Sequence, residues 1–330
     1  MEPSHPLSAA VLLLLGAALL PAGSAAAQAW KPEKAVEIIV GTTAGGPQDR
    51  TGRLIQRILQ EQKLVPMPVN VVNKAGGGGV VGLNYLSQHR GDAHYLMVNA
   101  MTLFTNHITG KTPLAYTEFT PIAVMGIEYV GASVLAGSPI RSGRDLIERL
   151  RRDPSSLSIA VGTALGNATH ISFALAMRAG GIDIKKLKTV VFSSGGESMT
   201  ALLGGHVDVS ASAPSILLAQ IKTGKVRMLA IGAPQRLAGE LANVPTWKEL
   251  GVSSTFELWR GLAGPKDMTP AQTAFWDDAL GKVVRTEEWK QDLARYDMEN
   301  VYRNSAETAR YWKAGHDEVK AVLGELGLAK

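Results

Sequence analysis

The first residues with a chemistry to offer are glycines. In Val36–Leu59, VEIIVGTTAGGPQDRTGRLIQRIL, Gly41 and the pair Gly45-Gly46 follow a short β-branched run. They precede Pro47 and the apolar set Leu54, Ile55, Ile58 and Leu59 at helical spacing. Proline suits the first helical position, because no intrahelical partner exists there for an N–H. The pattern predicts a helix that starts at the carboxyl end of a buried parallel strand. Unpaired backbone N–H groups and the positive end of the helix dipole converge at such a junction, so it is an anion site. Gly41 and Gly46 have the separation of a phosphate-binding P-loop, but Pro47 and Gln48 stand where that loop needs Lys and Ser/Thr. The dinucleotide pattern GxGxxG is also absent from this stretch. A smaller anion, such as a carboxylate, fits what is left; a turn with no ligand is the competing reading.

Other reactive side chains make a poorer case. The histidines at 5, 89, 94, 107, 170, 206 and 316 form no HExxH or other helical metal pair, and no GxSxG elbow exists. The sequence therefore gives no reason to expect a metal or a cofactor. Asp49 and Glu197 sit near predicted helix starts, where the dipole favours acids. Ser210, Ser212 and Ser215 cluster after Asp208, and hydroxyls there serve hydrogen bonding as readily as attack. A secreted hydrolase or lyase using Ser212 or His170 is the runner-up class, and a binding protein is the first.

Strand, small-residue loop and helix start recur in the elements that position these groups. Val69–Val72 leads into the glycine-rich Asn73–Gly79 and a helix over Val80–Gln88. Tyr95–Val98 is a third strand, ending at Asn99 and Thr102. Leu157–Val161 precedes Gly162–Asn167 and a helix over Ala168–Ala179. Val190–Phe192 precedes Ser193–Gly196 and a helix over Glu197–Leu203. Alternation of this kind predicts an α/β fold with ligand bound at the carboxyl ends of parallel strands. Ile122–Val134 and Val226–Ile231 read as crossovers between two lobes, giving lobe one as 30–124 plus 232–330 and lobe two as 125–231. Thr269-Pro270-Ala271-Gln272 is a capping box that opens a helical tail. Two more helices are expected over Glu287–Tyr296 and Ala306–Leu323, the last stopped by Gly324, with Trp276, Trp289, Tyr311 and Trp312 packing them down.

Composition bounds the partners. The chain has 330 residues, hydrophobic content of 45% and no cysteine, which allows two domains and excludes disulfides and thiol chemistry. Residues 1–29 read as an export signal, with an apolar core over Ala9–Leu20 too short to span a bilayer and small residues at Ala25-Ala26-Ala27. No Lys or Arg precedes that core. The net charge of +5 is spread along the chain, so nucleic acid is not expected and a mild positive field suits a small anion. An exported, periplasmic monomer is the expectation.

Five stretches in order resemble the Bug receptors, the extracytoplasmic solute-binding subunits of tripartite tricarboxylate transporters. They are Gly45-Gly46-x-x-Asp49-Arg50-x-x-Arg53, Asn73-Lys74-Ala75-Gly76-Gly77-Gly78-Gly79, Leu202-Leu203-Gly204-Gly205-His206-Val207-Asp208, Val244-Pro245-Thr246-Trp247-Lys248-Glu249-Leu250-Gly251 after Arg236, and Gly261-Leu262-Ala263-Gly264-Pro265. The resemblance spans essentially the whole mature chain. It implies a two-lobed periplasmic binding fold, with two mixed or parallel sheets flanked by helices and a ligand cleft between lobes. It also implies a small organic acid as ligand, and the membrane components of a tripartite transporter, or a sensor kinase, as partner. The proximal carboxylate falls to main-chain N–H groups of Ala44, Gly45 and Gly46, with Thr43 beside them, and of Gly77, Gly78 and Gly79. Asp49 orders the first loop and Thr102 reaches the cleft. Asn167, Thr169 and His170, with Ser193, Ser194 and Ser212, are the lobe-two candidates. Departures fall mostly in lobe two: the family's GxGSxxH reads Ala164-Leu165-Gly166-Asn167-Ala168-Thr169-His170, and its tyrosine-lysine-glycine loop reads Phe192-Ser193-Ser194-Gly195-Gly196. In lobe one, Thr42-Thr43-Ala44 replace a common proline. Hinges are expected near Val124–Ile127 and Leu229–Gly232.

Overall fold

The structure, a computed structural model, describes residues 30–162, 164–192 and 194–330. The expected export signal and Ser193 lie outside the described residues.

Two five-stranded sheets share one plan. Strands β1 (Val36–Val40), β2 (Val69–Asn73) and β3 (Tyr95–Asn99) are parallel, each followed by a helix: α1 (Pro47–Glu61), α2 (Val80–Ser87) and α3 (Thr102–Ile108). β10 (Leu258–Pro265) runs antiparallel to β3, and β4 (Phe119–Glu128) antiparallel to β10, giving the order β2-β1-β3-β10-β4. The second sheet repeats this as β7-β6-β8-β5-β9. Its parallel strands β6 (Ser158–Gly162), β7 (Lys188–Phe192) and β8 (Val209–Ser212) lead into α5 (Ala168–Ala179), α6 (Gly195–Leu203) and α7 (Pro214–Lys222). The antiparallel strands are β5 (Gly131–Leu135) and β9 (Val226–Ile231), and α4 (Gly143–Arg152) packs outside. Each lobe thus has three strand-to-helix junctions at one end, where four in all were read from sequence. α3, α4, β8 and β10 are elements that reading omitted. α3 is only seven residues long and lacks a side-chain cap, so no local signal announces it.

β4 stays in the first sheet through Glu128, pairing with Leu258. The expected boundary at 124/125 therefore cuts a strand. The chain passes between sheets at Tyr129–Val130. After Gly232 it still pairs with the second sheet, through Pro245–Trp247 beside Ile231, and rejoins the first sheet only at β10, so the expected lobe-one start at 232 is early. Val124–Ile127, expected as a hinge, is held on one side by β10 and on the other by bridges to Arg303 and Glu299. Val130 and Gly232 are adjacent: the Gly232 N–H donates to the Val130 carbonyl at 2.9 Å.

The tail closes lobe one. α8 (Pro270–Val283) opens with the expected capping box, followed by α9 (Glu287–Arg295) and α10 (Ser305–Glu325). Gly324 lies inside α10; the stop comes at Gly327, in the left-handed region at φ 72°. Trp276, Trp289 and Trp312 are buried. α10 packs on β4 and α3, and reaches lobe two through an Arg178–Glu325 ion pair of 3.0 Å.

β10 approaches β4 so closely that a Cβ at Gly261 would overlap the Ala123 carbonyl oxygen, beside a register shift. Gly261→Ala is expected to lower stability by about 1–3 kcal/mol. The check is a reduced urea midpoint at unchanged slope.

Candidate functional site

The first glycine loop is built around one acid. Asp49 is buried, and its carboxylate accepts from the Gly45 N–H, from Arg53 Nε and from Asn73 Nδ2, each at 2.9 Å. Asn73 Nδ2 also donates to the Thr42 carbonyl at 3.0 Å, tying the loop to the end of β2. Burial alone would raise the Asp49 pKa, but the hydrogen bonds from Arg53, Gly45 and Asn73 outweigh it and hold the carboxyl below its usual value. The Gly45 N–H is therefore committed to Asp49. The N–H groups of Ala44 and Gly46 have no partner among the described residues.

The second glycine loop abuts the first. A Cβ on Gly41 would press on Gly79 Cα at 3.0 Å, so the two turns approach at backbone distance. Gly76 to Gly79 all have positive φ, a run that only glycine adopts cheaply. The Gly79 N–H is spent on the Gly76 carbonyl at 3.0 Å, whereas those of Gly77 and Gly78 are unpaired among the described residues. Asn106 Nδ2 holds the Gly78 carbonyl at 3.0 Å.

Between the lobes lies a cavity of about 350 Å³. Gly78, Ala100, Met101, Thr102, Thr105, Asn106, Thr109 and Lys111 line it from lobe one; 164–168 line it from lobe two. Among these lining residues there is no carboxylate, and Lys111 is the only charge. The starts of α3 and α5 both open here, adding the positive ends of two helices. Oxygen acceptors on the wall are hydroxyls, amides and carbonyls. The balance favours a small anion with a polar body.

The two walls differ in how their N–H groups are spent. Gly46, Gly79 and Met101, which begin α1, α2 and α3, offer no side-chain cap. In lobe two, Asn167 Oδ1 accepts the His170 N–H at 2.8 Å, and Ser194 Oγ accepts the Glu197 N–H at 3.1 Å. α7, uncapped at Ala213, is the lobe-two exception, so unspent donors are more numerous on lobe one.

Of the residues expected from sequence, Gly78, Thr102 and Asn167 meet on the cavity wall. Thr102 does so as the first residue of α3, not from the strand. Thr43, Ala44, Gly45, Gly46, Gly77 and Gly79 stay behind the lining. Thr169 Oγ1 donates to Asn167 Oδ1 at 3.0 Å, and Asn167 Nδ2 donates to the Gly162 carbonyl. His170 is buried beneath the loop, its Nδ1 accepting the Gly166 N–H at 2.9 Å. Ser194 borders a separate open groove with Phe192, Glu197 and His206. Ser212 is buried in β8, 3.3 Å from Ser210 Oγ. Thr105, Asn106, Thr109 and Lys111 were missed because the helix presenting them was not read.

Known proteins give this geometry a context. The family described as "Tripartite tricarboxylate transporter family receptor" matches residues 53–328. The UPF0065 protein in the gbd 5' region of Cupriavidus necator is 31% identical over 326 residues, 98% of this chain and 96% of that one. A TctC solute-binding protein from Polaromonas, solved without ligand, superimposes with TM-score 0.78 at 25% identity, covering 89% of this chain and 99% of that one. A protein from R. palustris solved with adipate superimposes with TM-score 0.74 at 22% identity, over 90% and 99% of the two chains.

Burial lowers the His170 pKa from 6.5 to about 4. Between those values the unfolded chain takes up a proton that the folded chain refuses. Stability therefore falls as pH drops from about 6.5 to about 4, by at most ~1.4 kcal/mol per pH unit. His170→Gln keeps an acceptor for Gly166 and is expected to flatten that slope, as measured by urea melts across the window.

Proposed function

The chain belongs to the tripartite tricarboxylate transporter receptor family, whose members are solute-binding receptors and not enzymes, and from that premise we propose that it captures a small carboxylate-bearing solute between its two lobes. The carrying observation is the inter-lobe cavity, lined by Lys111 and by Gly78 with its unpaired amide, and by no acid among the described residues. The proximal carboxylate takes N–H bonds from Gly77 and Gly78, directly or through water, with Ala44 and Gly46 completing the donor set where the first loop abuts the second. A charge-assisted hydrogen bond contributes roughly 1.5–3 kcal/mol, so two or three anchor an acid without an arginine. Lys111 draws the anion in, and Asn167 and Thr102 orient its body.

Ligand that touches both walls shifts the lobes toward closure, because only the closed arrangement makes both sets of contacts. Tyr129–Val130 and Gly232 are the pivots in this reading. The closed shape is then what the membrane components of a tripartite transporter recognise, after export of the receptor to the periplasm. In keeping with that placement, no helix among the described residues is long and apolar enough to cross a membrane.

Isothermal titration against mono-, di- and tricarboxylates, adipate included, is expected to give a 1:1 binder that also raises the melting temperature. Lys111→Ala is expected to weaken it about tenfold or more. Absence of any acid ligand, or unchanged affinity in Lys111→Ala, counts against the assignment.

A further inference from the structure

A second cavity, of about 340 Å³, adjoins the first and shares Met101 with it. Besides Met101, its walls come from β10, the loop before it, Arg303 and α10, all in lobe one. Trp259 lines it, is 1% exposed, and has an indole N–H with no acceptor. Arg303 lines it as well; its Nη2 donates to Glu257 Oε1 at 3.1 Å, while its buried Nη1 has no partner. Two buried donors without acceptors are expensive to keep in apolar surroundings. An acceptor oxygen admitted to the chamber by a small shift of its wall would satisfy them.

Charge decides which oxygen. Arg303 is the single cation on the wall, already ion-paired with Glu257 at 3.0 Å, and Glu318 adds a second carboxylate. An entering carboxylate would meet one positive and two negative groups. A neutral acceptor avoids that repulsion and still satisfies Trp259 and Arg303. If it also carries an N–H, the carboxylates of Glu257 and Glu318 are there to accept it. The cleft around Gly78 and Lys111 has the opposite character, with one cation and no acid.

Resting on the carboxylate-receptor reading above, we infer that the chamber beyond Met101 binds the far end of the ligand, and that this end is an uncharged hydrogen-bonding group such as a carboxamide. The ligand class is then a carboxylic acid with a neutral polar terminus, long enough to pass Met101. A symmetrical diacid is disfavoured.

Three probes of matched chain length separate the possibilities: hexanoate, adipate and adipic acid monoamide, each titrated calorimetrically. The monoamide is expected to bind at least tenfold more tightly than either of the others. Trp259→Phe removes the N–H and keeps a ring; it is expected to weaken the monoamide about three- to tenfold and leave hexanoate unchanged. Glu318→Gln, on the exposed rim, is expected to bring adipate toward the monoamide. Adipate binding as tightly as the monoamide in the unmodified protein overturns the inference, and so does an equal loss for hexanoate in Trp259→Phe. Should that variant not fold, an adipate-to-monoamide ratio unmoved by Glu318→Gln overturns it. Hexanoate binding without any preference for the amide end sinks the chamber and spares the cleft. No binding by any of the three sinks both.

Discussion

A buried carboxylate that must be fully hydrogen-bonded sets the shape of the binding face. Asp49 sits in the first turn of α1 with almost no exposure, and an ion so placed is tolerable only if its oxygens are occupied. Gly45, Arg53 and Asn73 occupy them. Those three bonds fix the turn after β1, hold α1 against it, and anchor the end of β2. The second glycine run leaves from that anchored end and packs on Gly41. The amides that remain unpaired are a by-product of this satisfaction: once Gly45 is given to Asp49 and Gly79 to Gly76, the donors left over are those of Ala44, Gly46, Gly77 and Gly78.

Much of this was legible in the chain. The β-branched runs at Val36–Val40 and Val69–Val72 and the capping box at Thr269 marked their elements because local chemistry and tertiary context agree there. The glycine loops were recognisable because no other residue sustains four consecutive positive φ values. What stayed hidden has physical causes too. α3 is a short, uncapped helix held by burial of Leu103 and Phe104 against other elements, and such packing leaves no periodic trace over seven residues. Lys111 looked like any surface lysine. His170 was one of several lobe-two candidates; it supports its loop by accepting the Gly166 N–H, and a lone imidazole in sequence does not say which side of a turn it occupies. Gly324 looked like a helix stop, but Gly327 supplies the required φ.

The two lobes repeat one architecture and use it differently. Both place three helix starts at the carboxyl ends of parallel strands, so both generate positive ends there. Lobe two caps two of its three starts with Asn167 and Ser194, which accept N–H groups that would otherwise reach outward, and leaves α7 uncapped at Ala213. Lobe one places glycine or methionine at those positions and leaves them open. In the reading proposed above, the asymmetry divides labour: one wall supplies donors for the acid, the other shape and side-chain polarity.

The adjacency of the two inter-sheet passages has a mechanical corollary. Because Val130 and Gly232 are stitched by a backbone bond, two of the connections between the sheets run side by side. In the closure proposed above, connections so placed favour a swing over a sideways slide, which would tear the stitch, and the acid held between the walls would set the angle.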